Sequence, residues 1–205
     1  MRGHYASLSV CLLGAVVLAL PAAIAQTFLV DQQNDPQPTT QKDNVPAVLP
    51  GQTFIPTLPG IDFADFILNN FSGVDGQLSV TLRSGIGGSI LGTSDVVTIP
   101  GNNTHSYYRF LFPSRITLTL GVTYALEVVQ VGGGTSWIEN RPENNYPFGI
   151  GYWINGPAPW NFDYNFREGI MVIPEPNYIV PMTAFFVWLL WHGGLASNRR
   201  EISCG

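Results

Sequence analysis

The sequence predicts an all-β fold, a jelly-roll-like β-sandwich, and three observations carry the prediction. Apolar and polar residues alternate with period two in segment after segment of the central region. Gly and Pro, 22 and 16 of the 205 residues, punctuate it at the roughly 8–12-residue spacing that short strands and tight turns produce. No stretch of that region carries an apolar period of 3.6 residues, and no internal repeat points to a solenoid or propeller.

In order along the chain, residues 29–33 read as a first strand and residues 34–44, polar and containing Pro36 and Pro38, as a loop. Residues 52–55 and 60–64 are the next strands. The clearest is 77–83, where Leu78, Val80 and Leu82 share one face and Ser79, Thr81 and Arg83 the other. Gly85, Gly87 and Gly88 turn the chain, and residues 96–99 return it. Tyr108, Phe110 and Phe112 then alternate with Tyr107, Arg109 and Leu111. Ile116, Leu118 and Leu120 give the next inward row, Gly121 turns, and Tyr124, Leu126 and Val128 continue. Gly132 to Gly134 is a loop, and residues 148–154 and 162–166 are the last strands. In the final one, Phe162, Tyr164 and Phe166 separate from Asp163, Asn165 and Arg167 by period two.

Both ends read as addresses. Arg2 and His4 precede an apolar run over residues 8–20, and Pro21 is followed by Ala23-Ile24-Ala25 before Gln26. That is the pattern of a secretory signal peptide, residues 1–25, too short to span a bilayer. At the other end Pro174-Glu175-Pro176 precedes an uncharged apolar run over residues 178–196 and then Arg199-Arg200. As a helix that run rises about 28 Å, close to the ~30 Å hydrocarbon core, and the arginines hold its C-terminus in the cytoplasm. The expected organisation is a signal peptide (1–25), an N-terminal strand and polar linker (26–45), a sandwich (46–172), a sorting tail with one transmembrane helix (173–200), and a short cytoplasmic end (201–205).

Charged residues make up 11% and the net charge is −5. Over residues 46–172 the five arginines Arg83, Arg109, Arg115, Arg141 and Arg167 face nine acids, a net of −4 without a lysine. Such a domain has no basic stripe for phosphates, so nucleic acid is not an expected partner. The two cysteines, Cys11 and Cys204, lie in the two addresses, which leaves the exported domain to its core alone. The sequons at Asn70 and Asn102 read as chance matches.

Catalytic chemistry is sparse. His105 is the one histidine between the addresses and reads as a surface-loop residue, since no serine sits in a nucleophile-elbow pattern. One histidine and no cysteine leave nothing for a zinc site. Asp62 with Asp65, Glu139 with Glu143, and Asp163 with Glu168 could supply the two acids of a glycosidase, but read more simply as solvated side chains. Glu139 and Glu143, with Asn140 and Asn144, are also hard oxygen ligands that could hold a structural calcium; no other cofactor is indicated. The unusual feature is aromatic. Trp137, Tyr146, Tyr152, Trp153 and Trp160 are interleaved with asparagines and glycines, a pairing of flat rings with amides that suits sugar binding. The alternative is that Tyr152 or Trp153 plugs the sandwich core and Trp160 covers its end; Trp137 and Trp160, in loop-like sequence, are the rings expected to be most exposed.

Pro174, Glu175 and Pro176, the apolar span, and Arg199 with Arg200 resemble the PEP-CTERM sorting signal of exported Gram-negative bacterial proteins. It departs from that pattern at Asn177, where a small residue is common, and in the five residues after Arg200. The resemblance implies an exosortase-type processing enzyme and the inner membrane as partners, final display at the cell surface or release, and association with exopolysaccharide and biofilm. More loosely, Asp31-Gln32-Gln33, Gly51-Gln52-Thr53-Phe54, Leu91-Gly92-Thr93-Ser94, Leu120-Gly121-Val122-Thr123-Tyr124 and Asp163-Tyr164-Asn165-Phe166-Arg167 are similar to sandwich modules ahead of such tails. The function expected is therefore a non-enzymatic surface or extracellular-matrix protein; a carbohydrate-binding module is the alternative, and a glycan-processing enzyme the third reading.

Overall fold

Period-two sequence becomes strand throughout the computed structural model, which describes residues 26–34, 41–143, 146–154 and 161–173. These residues build two antiparallel sheets packed face to face, an all-β sandwich-like arrangement. In chain order the strands are β1 (Thr27–Asn34), β2 (Gln41–Asn44), β3 (Pro50–Phe54), β4 (Gly60–Asn70), β5 (Gly76–Arg83), β6 (Ile90–Thr93) and β7 (Val97–Ile99). They continue with β8 (Asn103–Thr117), β9 (Tyr124–Gly133), β10 (Ser136–Arg141), β11 (Gly151–Trp153), β12 (Asp163–Tyr164) and β13 (Phe166–Val172). A single helical turn, α1 (Val45–Val48), links β2 to β3; the Asn44 side chain caps it by accepting from the Ala47 amide at 3.3 Å.

The first sheet has the order β1-β13-β4-β10-β12, with β2 beside β10 and β8 beside β4; the second runs β11-β3-β9-β5-β6, with β7 beside β5. The core lies between them. Phe66 and Leu68 of β4, Phe110 of β8 and Phe166 of β13 meet Leu78, Val80 and Leu82 of β5 and Leu126 and Val128 of β9, all fully buried. Leu120 apart, the rows read from the alternation are the rows that pack.

Four expectations change. Residues 41–44 are not loop but β2, paired to β10 from Gln41↔Asn140 to Asn44↔Trp137. With β1 paired along β13, residues 27–34 and 41–44 are both sheet strands, and the compact unit runs from Gln26 to Glu175. Leu120 is 56% exposed and ends no inward row, because the chain is already turning after Leu118. The acids expected in solvent are interior: Asp62, Asp65, Glu139, Asp163 and Glu168 are all buried. The expected signal peptide, apolar span and basic stop lie outside the described residues; among those described, no helix is long and apolar enough to cross a membrane.

Candidate functional site

Ala64, Phe66 and Leu68 of β4 face the core, so Asp65, Ile67 and Asn69 project from the outer face of the first sheet. Cross-strand register sets what stands beside them. Arg109 and Arg167 flank Asp65, Tyr107 is opposite Ile67, Trp137 is opposite Asn69, and on β2 Lys42 is opposite Glu139.

Two polar clusters result. In one, Arg109 grips Asp65 with both arms, Nε to Oδ1 at 2.8 Å and Nη2 to Oδ2 at 2.7 Å, the bidentate geometry that makes such pairs strong. Its guanidinium lies 3.8 Å from the Phe28 ring and 4.4 Å from the Phe63 ring, two rings set edge to face, and Arg167 lies 4.1 Å over Tyr107. In the other, Glu139 accepts from Asn69 Nδ2 at 2.8 Å and pairs with His105 Nδ1 at 2.9 Å, with Lys42 Nζ at 3.8 Å. Lys42 also lies 4.9 Å over the exposed Phe71 ring. His105 sits on β8 rather than in a surface loop. Its φ of 46° is an uncommon conformation for a residue with a side chain, and its amide is tied to Asn69 Oδ1 at 2.8 Å.

In both clusters the carboxylate lies below and the nitrogen groups paired with it lie above. The side chains of Glu139 and Asp65 are 2% and 4% exposed, whereas Lys42, His105 and Arg109 are 35%, 57% and 34% exposed. The arrangement suits recognition at a surface rather than acid–base chemistry in a cleft, since each carboxylate is already spent on internal donors.

The aromatic segment does not come together as one face. Trp137 is half-buried on the outer face, and its indole N–H makes no hydrogen bond to a described residue. Tyr146 is buried with its hydroxyl on Gln32 Oε1 at 3.1 Å, and Tyr152 is buried with its hydroxyl on Glu127 Oε1 at 3.2 Å. Burial pushes both phenols well above the usual tyrosine range. Trp153 packs against the core and donates from Nε1 to Asp43 Oδ2 and the Tyr164 hydroxyl, both at 3.1 Å. Trp160, like Pro174, Glu175, Pro176, Arg199 and Arg200, lies outside the described residues. A groove of about 450 Å³ does open beside Tyr146, lined by Thr53, Ile55, Thr123, Phe148 and Ile150.

For calcium, Glu139 is engaged by Asn69, His105 and Lys42 while Glu143 is exposed, and no group of three or more acids, histidines or cysteines among the described residues is placed to hold a metal. A carboxyl pair that the sequence did not suggest lies at the β1–β13 edge. A bulge between Val30 and Gln32 frees Asp31 from the ladder, and its carboxylate accepts from the Thr57 hydroxyl and from the Thr57 and Leu58 amides at 2.8 and 2.9 Å. Glu168 lies beside it, fully buried; burial first, then the charge of Asp31 and a hydrogen bond to it, push Glu168 up to about 9.

No family model and no curated protein matches the chain. Among solved structures, the infectious bursal disease virus VP2 subviral particle is similar over 83% of this chain at 12% identity, with a TM-score of 0.19, too low to carry an argument. This chain spans 47% of that one, less than half its length.

Proposed function

We propose that the chain is an exported, non-enzymatic β-sandwich protein of the bacterial surface or extracellular matrix, jelly-roll-like in topology. A signal peptide over residues 1–25 exports it. A PEP-CTERM-like tail, with Pro174, Glu175 and Pro176 as motif, residues 178–196 as transmembrane helix and Arg199 with Arg200 as stop, holds it in the inner membrane until an exosortase-type enzyme sorts it. One observation supports the non-catalytic part most: the carboxylates serve as internal struts. Asp62 pairs with Arg115, Asp65 with Arg109, and Glu139 with His105 and Asn69, while Asp163 accepts from Gln52 Nε2 at 3.0 Å and the Tyr146 amide at 2.9 Å. A glycosidase instead needs two acids open to one substrate. The glycan-binding reading keeps support from the outer face, where Trp137 stands among exposed cations.

Topology tests the proposal. A reporter fused after Gly205 is expected in the cytoplasm, and one inserted at Gly87, in the hairpin between β5 and β6, in the periplasm. The opposite pair of locations would overturn the sorting reading.

A further inference from the structure

We infer that the outer face of the first sheet binds anionic polysaccharide, through a cationic and aromatic patch made by Lys42, His105, Arg109, Arg167 and Trp137. Exposure is the first argument. The strands of the first sheet carry five of the six lysines and arginines among the described residues and also seven acids, but none of those acids is exposed, whereas Lys42 and His105 are.

The vertical order of the charges is the second argument. Glu139 and Asp65 are almost wholly buried, and the groups paired with them stand 34–57% exposed above. An approaching ligand meets ammonium, imidazole and guanidinium first. The buried carboxylates and the rings hold these cations in place, so little side-chain freedom is lost when an anion arrives.

Ring chemistry narrows the class. Trp137 offers an indole N–H with no partner among the described residues, next to Asn69 and in the same cross-strand row, which suits a hydroxyl together with the apolar face of a sugar. A carboxylated polymer such as a polyuronate supplies both the anions for Lys42 and His105 and the ring for Trp137. Nucleic acid fits less well: duplex binders commonly neutralise several phosphates through a continuous basic track, and here two carboxylates lie within the patch. The inference names a partner for the surface protein proposed above, but needs only the sandwich and not the tail.

The test is affinity electrophoresis of the full-length chain in a nonionic detergent, in gels cast with polygalacturonate or with neutral dextran. Retardation is expected in polygalacturonate and not in dextran, and is expected to fade as salt is raised. Lys42→Gln combined with His105→Gln should weaken it about tenfold, and so should Trp137→Ala alone, whereas Lys42→Arg keeps the charge and should retain it. Melting curves of each variant report whether the sheet survives, and Lys42→Gln alone, at a half-exposed side chain, serves if the double variant melts early. Equal retardation in dextran, retardation untouched by these substitutions, no retardation at all, or equally tight binding of duplex DNA would each overturn the inference. A failed gel experiment with the topology as expected removes only this inference; a reversed topology with retardation intact removes only the sorting reading.

Discussion

Glu168 illustrates at the residue scale what the interior does to an acid. Its unfolded value is near 4.5 and its folded value about 9. Below about 4.5 both states hold the proton; between the two values only the folded state does, so stability falls as pH rises through that window and levels off above about 9. Tyr146 and Asp31 are the charged or titratable neighbours that share this environment. Glu168→Gln should therefore flatten the decline in melting temperature between about pH 5 and pH 8, read by thermal scans at the two ends. A decline as steep as that of the parent chain would place the titrating group elsewhere. The tryptophans make a second contrast. Trp153 packs on the core with two hydrogen bonds from its indole, and Trp153→Ala should cost about 3 kcal/mol or more in urea unfolding. Trp137 lies on the outer face, and its truncation should cost roughly 1 kcal/mol or less.

Strand packing at the element scale depends on close approaches that hydropathy does not record. On β3, Gly51 stands opposite Tyr152 of β11, and a Cβ there would lie 2.3 Å from the ring's Cζ. Gly51→Val should displace the ring, break its bond to Glu127 and cost about 1–3 kcal/mol, measurable as a lower urea midpoint. The same physics explains which strands were legible. Core rows such as Leu78/Val80/Leu82 and Phe162/Tyr164/Phe166 could be read because one face is apolar. Strand β2 could not, because Gln41 to Asn44 bury no apolar side chain and are strand only by pairing with the edge of β10. Strand β13 runs on past Phe166 to Val172, and at Gly169 the β1 backbone passes so close that a Cβ there would meet the Leu29 carbonyl at 2.0 Å. Pro113 lies inside one strand of 15 residues; among the described residues β8 pairs with β4 alone, and its ladder is irregular between Leu111 and Ile116, where a missing N–H costs least. The cationic patch was half visible. Tyr107 and Arg109 separate from the core row by period two, but the meetings of Arg109 with Phe28 and of His105 and Lys42 with Glu139 depend on register across distant strands, which periodicity cannot supply.

For the whole molecule, the sandwich closes without the expected addresses: both sheets, their core and the ion pairs lie within residues 26–173. A polypeptide of those residues should be soluble, β-rich by far-UV circular dichroism and cooperative in urea, and helical signal or recovery only in detergent would contradict the assignment of the apolar tail to a separate role. The six acids buried on strands, Asp62, Asp65, Glu127, Glu139, Asp163 and Glu168, also follow from the whole. A chain with 11% charged residues and no cysteine within residues 26–173 uses ion pairs to tie strand to strand, as Arg115 does in bonding Asp62 and the Met171 carbonyl at 2.7 Å. Export followed by surface display is tested by intact-mass measurement on fractionated cells of a host with an exosortase. A species beginning at Gln26 is expected in the membrane, surface or medium fraction. A chain still beginning at Met1 and confined to the cytoplasm would contradict it.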